Sequence, residues 1–322
     1  MKKKASLFLL YNILSKYTDE NHPITRKEID RYLSIEYDIT IDRKTLHDHI
    51  ELLNEFGCEI QIARSAYDGY YMGQRLFEPS EIHLLCNAIY SAHFIPEKAS
   101  KDLINKLLST QSKYIKKDFN DTVYMQNKRK TLNKEFFLNI DYLNEAIHIN
   151  KAVSFRYMKY NLNKILIPRK DHKYIIHPYY IISANENYYL ICKNDAYDNL
   201  SHYRIDKMQN IEILDKPRKP LGESFDPYVY AKSKIYMYGG KEERITLKCK
   251  YTILDDIIDR FGNDVILQPC DDYHFLAIVT SSKEGMLYFC LQYIRNCEVT
   301  APLELRNEIQ NLLQNALIEV YK

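Results

Sequence analysis

The stretch "PYYIISANENYYLICKN", Pro178 to Asn194, holds two apolar, tyrosine-rich runs on either side of a polar segment, and "HYRIDKM", His202 to Met208, follows it. Apolar runs that flank residues such as Asn and Ser are typical of antiparallel strands joined by a turn. The runs "AVSFRYMKY" and "KYIIHPYYIIS" extend this pattern upstream. We therefore predict a small, strongly bent sheet or barrel from about residue 140 to residue 220.

This β-rich region is also the most basic part of the chain. Residues 154–219 hold 12 Lys plus Arg against 7 Asp plus Glu, whereas the whole chain carries a formal charge of only +2. Tyrosine rings offer stacking planes and basic side chains neutralise phosphates, the combination that single-stranded nucleic acids require. The alternative is an ordinary surface ion pair of Arg204 with Asp206 or Glu186, which contributes less than about 1 kcal/mol to stability.

The N-terminal residues follow a different pattern. Three helical periodicities, "SLFLLYNILSKY", "ITRKEIDRYLSIEY" and "ITIDRKTLHDHIELLNEFG", precede two short extended runs around Asp68 and Gly69. Thr25 and Glu28 form a capping box for the second helix, and Thr40 or Asp42 caps the third. Three helices and a hairpin predict a winged helix-turn-helix.

The third helix is the candidate recognition helix for a DNA major groove, because its solvent side is basic at the first turn. Its buried stripe is predicted to be Leu46, Ile50 and Leu53. Residues 1–75 carry 11 Lys plus Arg against 12 Asp plus Glu, so a small helical domain that binds protein is the alternative. Further basic residues that we expect at phosphates are Lys2 to Lys4 and Arg75. The predicted DNA contacts are Arg43, Lys44, Thr45, His47 and Arg64.

Two further segments complete the chain. Residues 78–139 look helical without catalytic motifs, with Leu138, Tyr142 and Ile147 on one face of the last helix. Residues 233–322 alternate strand, helix, strand, strand, helix and strand, which is a ferredoxin-like order. We expect a helical connector and a C-terminal domain for dimer contact or signal relay.

The β-rich motifs resemble a known family. "SFRY", "HPYYI", "NYYLIC" and "HYRIDKM" occur in the order and at the spacing of a WYL domain, an Sm-like β module. The Trp-Tyr-Leu tripeptide appears as Tyr188-Tyr189-Leu190, and the family's Arg-x-Asp-Arg element ends in Lys207, which keeps the charge and loses the bidentate geometry. "RFGNDV" and "CEVTAPLELRNEIQ" resemble the extension behind such domains. The whole chain is similar to bacterial WYL transcriptional regulators.

The resemblance implies an α+β multidomain fold. The expected order is a winged helix-turn-helix at 1–77, a helical connector at 78–139, a Sm-like small β-barrel WYL domain at 140–225 and a ferredoxin-like domain at 233–322. It also implies an effector site, with a nucleotide or single-stranded nucleic acid as the candidate ligand. Strand alternation separates Arg204 from Lys207 unless the chain turns after Asp206. The expected effector contacts are Ser154, Tyr157, His177, Tyr189, Arg204 and Lys207.

Other classes of protein find little support in the sequence. No phosphate-binding Gly loop, His-Glu-x-x-His or Gly-x-Ser-x-Gly motif occurs, so we expect no enzyme, cofactor or metal site. His47 and His49 point apart on a helix and do not form a metal pair. Seven scattered cysteines and the absence of a signal peptide or membrane span favour reduced thiols in a cytoplasm.

These observations lead to one functional hypothesis and one alternative. The hypothesis is a cytoplasmic transcriptional regulator that binds a double-stranded DNA operator as a homodimer and senses an effector through its WYL domain. The alternative is a non-catalytic oligonucleotide-binding or protein-interaction module without operator recognition, which Asp48 and the acidic N-terminal balance favour.

Overall fold

The computed structural model describes residues 5–64, 68–122, 130–184, 186–196, 199–221, 225–226, 230 and 242–321. The fold is mixed α+β with curled antiparallel sheets. The chain divides into two compact units, Met1–Thr131 and Leu132–Lys322.

The first unit begins with three helices and a short hairpin. The helices are α1 (Ser6–Tyr17), α2 (Arg26–Tyr37) and α3 (Arg43–Glu55), and the antiparallel strands are β1 (Ile60–Ile62) and β2 (Tyr70–Met72). The capping box of Thr25 and Glu28 is present, and Asp42 caps α3, as the sequence predicts. The predicted stripe of α3 is buried, in one core with Leu10, Leu14, Ile29 and Leu33.

A glycine determines how closely the hairpin approaches the rest of this core. Gly69 has a φ of +112°, and a Cβ atom there would lie 2.5 Å from the carbonyl carbon and oxygen of Ile24. The backbones meet because Ile24 and Tyr70 exchange two hydrogen bonds of 3.0 and 2.8 Å. Only glycine accommodates both this conformation and this approach.

Three more helices belong to the first unit: α4 (Pro79–Ser91), α5 (Glu97–Leu108) and α6 (Lys113–Thr122). A second apolar cluster forms among them, around Ile82, Cys86, Ile104 and Phe119. Arg75 enters this region rather than a phosphate-facing wing. Its guanidinium donates to the carbonyl oxygens of Ser15, Thr18 and Thr110, so the prediction of a phosphate contact for Arg75 is wrong.

The second unit opens with α7 (Phe136–His148), which packs on a curled sheet. Its strands are β3 (Lys151–Tyr160), β4 (Leu166–Pro168), β5 (Tyr174–Ala184), β6 (Asn187–Asn194), β7 (Leu200–Arg204) and β8 (Met208–Pro217). The order is β7-β6-β5-β3-β8, and β4 also pairs with β3. A single 3₁₀ turn, Ile205–Lys207, joins the outermost strands β7 and β8, which requires the sheet to curl round on itself.

The apolar residues that share one face of α7 in the sequence are not its buried stripe. Leu138 and Tyr142 are exposed, and the helix instead buries Phe136, Asn139, Leu143 and Ala146. The physical reason is that a polar residue, Asn139, occupies the centre of the buried stripe. An apolar periodicity that skips this position selects the neighbouring face.

The last part of the second unit is a four-stranded sheet with helices on it. Its elements are β9 (Glu242–Lys250), α8 (Leu254–Phe261), β10 (Ile266–Pro269), β11 (His274–Ser282), α9 (Lys283–Gln292), β12 (Cys297–Ala301) and α10 (Leu303–Asn315). The strand order is β10-β11-β9-β12, and all neighbours are antiparallel. The core includes Leu247, Phe275, Met286, Phe289 and Leu305.

Among the described helices none is long and apolar enough to span a bilayer. The described residues also hold no group of three or more His, Cys, Asp or Glu side chains arranged for a metal ion. All seven cysteines are free thiols.

Candidate functional site

The 3₁₀ turn between β7 and β8 brings two of the predicted effector residues together. We call Arg204 and the turn residues Ile205–Lys207 the basic turn. The chain bends after Arg204, so the strand alternation that would separate Arg204 from Lys207 ends there. The positive charge of Arg204 acts on Lys207, whose pKa is lowered by burial and then by this neighbouring charge.

Arg204 is held in place by a buried acid. Its Nε and Nη2 donate to the two carboxylate oxygens of Asp206 at 3.0 and 2.8 Å. Asp206 is 3% exposed, whereas the Arg204 side chain keeps 31% of its surface. Burial alone would lower the pKa of the guanidinium, but the hydrogen bonds and the charge of Asp206 raise it above its usual value. The ion pair of Arg204 with Asp206 that we named as the alternative therefore exists, and it joins a buried carboxylate to a partly exposed guanidinium.

Two tyrosines flank the basic turn. Tyr189 on β6 is the cross-strand partner of Arg204 on β7, so their side chains lie on the same face of the sheet. Tyr157 accepts a 3.3 Å hydrogen bond from the backbone N–H of Arg204 through its hydroxyl. Burial raises the pKa of Tyr157 to about 12, so the phenol stays neutral at physiological pH.

Sequence reasoning missed two residues of this surface. The Nζ of Lys207 lies 5.9 Å from the centre of the Tyr160 ring, within cation–π range. Arg169 follows β4, is exposed, and its charge also lowers the pKa of Lys207. Nothing in "IPRKD" marks Arg169, because only the pairing of β4 with β3 brings it to the tyrosines.

Two other predicted effector residues lie elsewhere. His177 is fully buried: its Nδ1 accepts from the backbone N–H of Lys219 at 3.1 Å, so its Nε2 donates to Asp195 at 3.0 Å. Ser154 is 4% exposed, and its hydroxyl lies 3.3 Å from Glu212 on β8. Both side chains connect strands and segments of the domain, and the structure does not bring them to the basic turn.

Asp195 is the centre of a group of ion pairs next to His177. Asp195 forms ion pairs with Lys216 at 2.9 Å and with Lys219, in addition to its contact with His177. These groups, Lys219 first, hold the pKa of Asp195 well below its usual range. Lys216 and Lys219 are therefore held by Asp195 next to His177, and they form a group separate from Arg204 and Lys207 of the basic turn.

Residues 139–213 match the family model described as the WYL domain. The chain contains a WYL domain. The match begins inside α7 and ends in β8, so the basic turn and both flanking tyrosines belong to the WYL domain.

Comparisons of the whole chain are weaker. A search of curated proteins finds no match. Among solved structures, proteasome accessory factor B/C (PafBC) of Arthrobacter aurescens is 15% identical, with a TM-score of 0.30, covering 100% of this chain and 49% of PafBC. This chain thus spans about half the length of PafBC. A CRISPR Cas-related protein is 15% identical, with a TM-score of 0.38, covering 97% of this chain and 84% of the other.

The predicted DNA contacts lie in the first unit. Arg43, Lys44 and His47 are exposed on α3. Thr45 is half-buried, and its hydroxyl donates to Asp42 at 2.9 Å, so it is part of the helix cap. Arg64 is exposed after β1. Lys2, Lys3 and Lys4 lie outside the described residues.

The two histidines of α3 do point apart. His47 lies 3.3 Å from Glu51 one turn further along the exposed side, whereas His49 hydrogen bonds to the Ser6 hydroxyl at 2.7 Å.

Proposed function

We propose that the protein is a DNA-binding transcriptional regulator whose WYL domain senses a nucleotide or a single-stranded nucleic acid. The observation that carries the proposal is the basic turn. Arg204, Lys207 and Arg169 lie around a surface that also holds Tyr160 and Tyr189, and the hydroxyl of the more deeply buried Tyr157 supports the backbone of Arg204. Such a surface combines phosphate-neutralising charges with ring planes on which bases stack.

The arrangement of the charges supports an anionic ligand over a neutral one. Burial and the charges of Arg204 and Arg169 disfavour the protonated form of Lys207, and only Asp206 among the influencing groups favours it. A phosphate placed there would relieve this repulsion between like charges. The fixed geometry of Arg204 also means that little side-chain entropy is lost when a ligand binds.

For the first unit we propose a winged helix-turn-helix with α3 as the recognition helix. Three helices in sequence, a following antiparallel hairpin and exposed Arg43, Lys44 and His47 support this proposal. Thr45 would then support the first turn of α3 through its contact with Asp42, and Arg64 would contact phosphate from the hairpin.

The remaining assignments are proposals of the same kind. We propose a Sm-like barrel for 140–225, a ferredoxin-like fold for 233–322, a connector at 78–139, and a cytoplasmic, non-enzymatic protein. The strand order β10-β11-β9-β12 supports the ferredoxin-like assignment. A dimer fits the need of helix-turn-helix proteins to read two half-sites, and a monomeric mass in sedimentation with and without DNA would contradict it.

One observation favours a second candidate function. Asp48 is exposed on α3 next to His47, where it would approach the phosphates of bound DNA. A module that binds oligonucleotides or proteins without reading an operator would tolerate this acid. A failure to enrich any duplex sequence from a random pool would favour this candidate.

The effector proposal is tested by titrating octathymidylate into the full-length protein at several salt concentrations. We expect affinity to fall with salt, and we expect Arg204→Ala to reduce the logarithmic salt slope by about 0.7, the value for one phosphate contact to a single strand. Asn144→Ala, an exposed change on α7, serves as the control. Salt-independent binding, or no binding of octathymidylate and of nucleotides, would contradict the proposal.

A further inference from the structure

The carbonyl groups of the basic turn are held by two buried asparagines, which we call the asparagine clamp. The Asn133 Nδ2 donates to the carbonyl oxygens of Asp206 at 3.0 Å and Met208 at 2.6 Å. The Asn139 Nδ2 donates to those of Ile205 at 3.3 Å and Met208 at 2.7 Å. Two side-chain amides thus use both of their hydrogens on three carbonyl groups, those of Ile205 and Asp206 in the turn and that of Met208 at the start of β8.

Burial explains why asparagine occupies both positions. Asn133 and Asn139 are 0% and 1% exposed, and a buried amide without partners is strongly destabilising. A 3₁₀ turn of three residues leaves most of its own carbonyl groups without helical partners. The acceptors are all carbonyl oxygens, so each amide must present its nitrogen to the turn. An apolar residue would leave these carbonyl groups unsatisfied.

The same segment also holds the chain just beyond the turn. The Asn133 Oδ1 accepts from the backbone N–H of Glu135 at 3.0 Å, which fixes the orientation of the clamp amide. The Glu135 Oε2 accepts from the backbone N–H of Asn210 at 3.0 Å. Asn210 has a φ of 52°, a left-handed conformation that needs support from its surroundings. Residues 133–139 therefore contact the chain at 205, 206, 208 and 210.

The asparagine clamp lies close in sequence to the boundary between the two units. Thr131 is the last residue of the first unit and Leu132 is the first residue of the second. The clamp thus lies in the segment through which the WYL domain is covalently connected to the N-terminal unit. A displacement of the basic turn must move this segment or break the hydrogen bonds of the clamp.

We propose that Asn133 and Asn139 are positioning residues that fix the spacing of Arg204 and Lys207 and couple occupancy of the basic turn to the connecting segment. The coupling part rests on the proposed effector function. The positioning part applies to the protein without any ligand. Neither asparagine contacts the ligand, and both act through the backbone of the turn.

The first arm of the test needs no ligand. The Met208 N–H is hydrogen bonded to the Ile205 carbonyl, so its exchange with deuterium reports the order of the turn. In full-length Asn139→Ala we expect Met208 to exchange about tenfold faster than in the wild type, since the turn loses partners for two buried carbonyl groups. The Ile191 amide on β6 is the internal reference and should keep its rate.

Matched variants separate positioning from general loss of stability. Asn144→Ala changes the same residue type on the exposed side of α7 and should leave Met208 unchanged. Asn133→Ala should reproduce the effect if Asn139→Ala does not fold, and Asn133→Ser, which keeps a donor, should restore part of the protection. Unchanged exchange at Met208, or equal acceleration at Met208 and Ile191, would overturn the positioning role.

The second arm uses octathymidylate as the probe. In the wild type we expect binding to slow exchange at Met208 and also at the Asn139 amide, which is hydrogen bonded to Glu135. In Asn133→Ala, binding should still slow Met208, but its effect at the Asn139 amide should become smaller, because only the Asn139 side chain still links the turn to this segment. An undiminished effect at the Asn139 amide would overturn the coupling. If octathymidylate does not bind the wild type, the proposed function and the coupling fail together, while the first arm still decides the positioning role.

Discussion

Two pairs of basic residues, one in each unit, are built in opposite ways. Arg43 and Lys44 occupy the first turn of α3 with their side chains exposed. Arg204 and Lys207 sit on a turn whose backbone is buried, and Arg204 is bound in bidentate fashion to buried Asp206. The side chains of the first pair extend from α3 into solvent. In the second pair, the Arg204 side chain is fixed by hydrogen bonds to a buried residue of its own domain.

If both pairs bind phosphates, as we propose, the difference implies two kinds of phosphate recognition. Exposed cations in the first turn of a helix lie close to the positive end of the helix dipole, so they do not stabilise the helix. A bound polyanion would offset this unfavourable interaction. Their contribution to binding comes from released counterions and is general. A cation whose direction is fixed before the ligand arrives loses less entropy on binding and selects ligand geometry. We therefore expect truncation of the α3 cations to weaken binding without changing the free energy of unfolding. Truncation in the basic turn should change both quantities.

The largest effect is expected from removing the acid of the basic turn. Asp206→Ala leaves Arg204 with an unpaired, half-buried charge, and loss of one partner of a fully buried pair typically destabilises by about 3–5 kcal/mol. The Arg204 side chain keeps about a third of its exposure. We therefore expect the free energy of unfolding to fall by about 2 kcal/mol, measured by urea unfolding.

The control for this variant is Asp171→Ala, which removes an exposed acid from the same domain and should change stability by less than about 0.5 kcal/mol. Equal stability of Asp206→Ala and the wild type would mean that the basic turn is held by its backbone contacts alone. The contrast with α3 would then be lost.

The opposite behaviour is expected for α3. The double variant Arg43→Ala, Lys44→Ala should weaken binding to a duplex selected by the wild type and reduce its logarithmic salt slope by about 2, because two phosphate contacts are lost. Its unfolding free energy should stay within about 0.5 kcal/mol of the wild type. Fluorescence anisotropy measures the first quantity and urea unfolding the second. Unchanged DNA affinity would contradict the assignment of α3 as the recognition helix.

The sequence predicted most accurately those elements whose signals are local. The capping box of Thr25 and Glu28, the Asp42 cap and the buried stripe of α3 depend on residues within one or two helical turns. The paired strands β5 and β6 follow from two apolar, tyrosine-rich runs on either side of a polar turn. Each of these signals can be read without knowing what the element packs against.

The sequence misled where a polar residue is buried for a structural reason. Asn139 interrupts the apolar stripe of α7, and periodicity therefore selected the exposed face with Leu138 and Tyr142. Arg75 looked like a free cation, although its guanidinium satisfies three carbonyl oxygens. The partners of both residues are backbone atoms, which leave no trace in side-chain patterns.

The candidate site was predictable in part because its centre is continuous in sequence. Arg204, Asp206 and Lys207 lie within four residues, and the only open question was whether the chain turns between them. Tyr160 and Arg169 come from another part of the sheet, and His177 was included by motif position although it is fully buried. Residues that meet only through strand pairing require the topology of the sheet before they can be grouped.

The smallest expected effect concerns Tyr157, whose hydroxyl contacts the backbone of the basic turn. Burial raises the pKa of Tyr157 to about 12 from an ordinary value of 10.0. Between these values the unfolded chain has lost the proton while the folded protein keeps it, so the free energy of unfolding falls as pH rises through this window. Tyr157→Phe should make this decline shallower by up to about 1.4 kcal/mol per pH unit.

Below pH 10 the free energy of unfolding of the same variant should be lower than that of the wild type by only about 1 kcal/mol. This is the contribution of the hydrogen bond that the Arg204 N–H donates to the Tyr157 hydroxyl. Urea midpoints measured from neutral to strongly alkaline pH give both quantities, with Tyr273→Phe as the exposed control. Parallel curves for Tyr157→Phe and the wild type would mean that the phenol is solvated in solution. In that case the basic turn is looser than its hydrogen bonds indicate, and it resembles the exposed cations of α3 more closely.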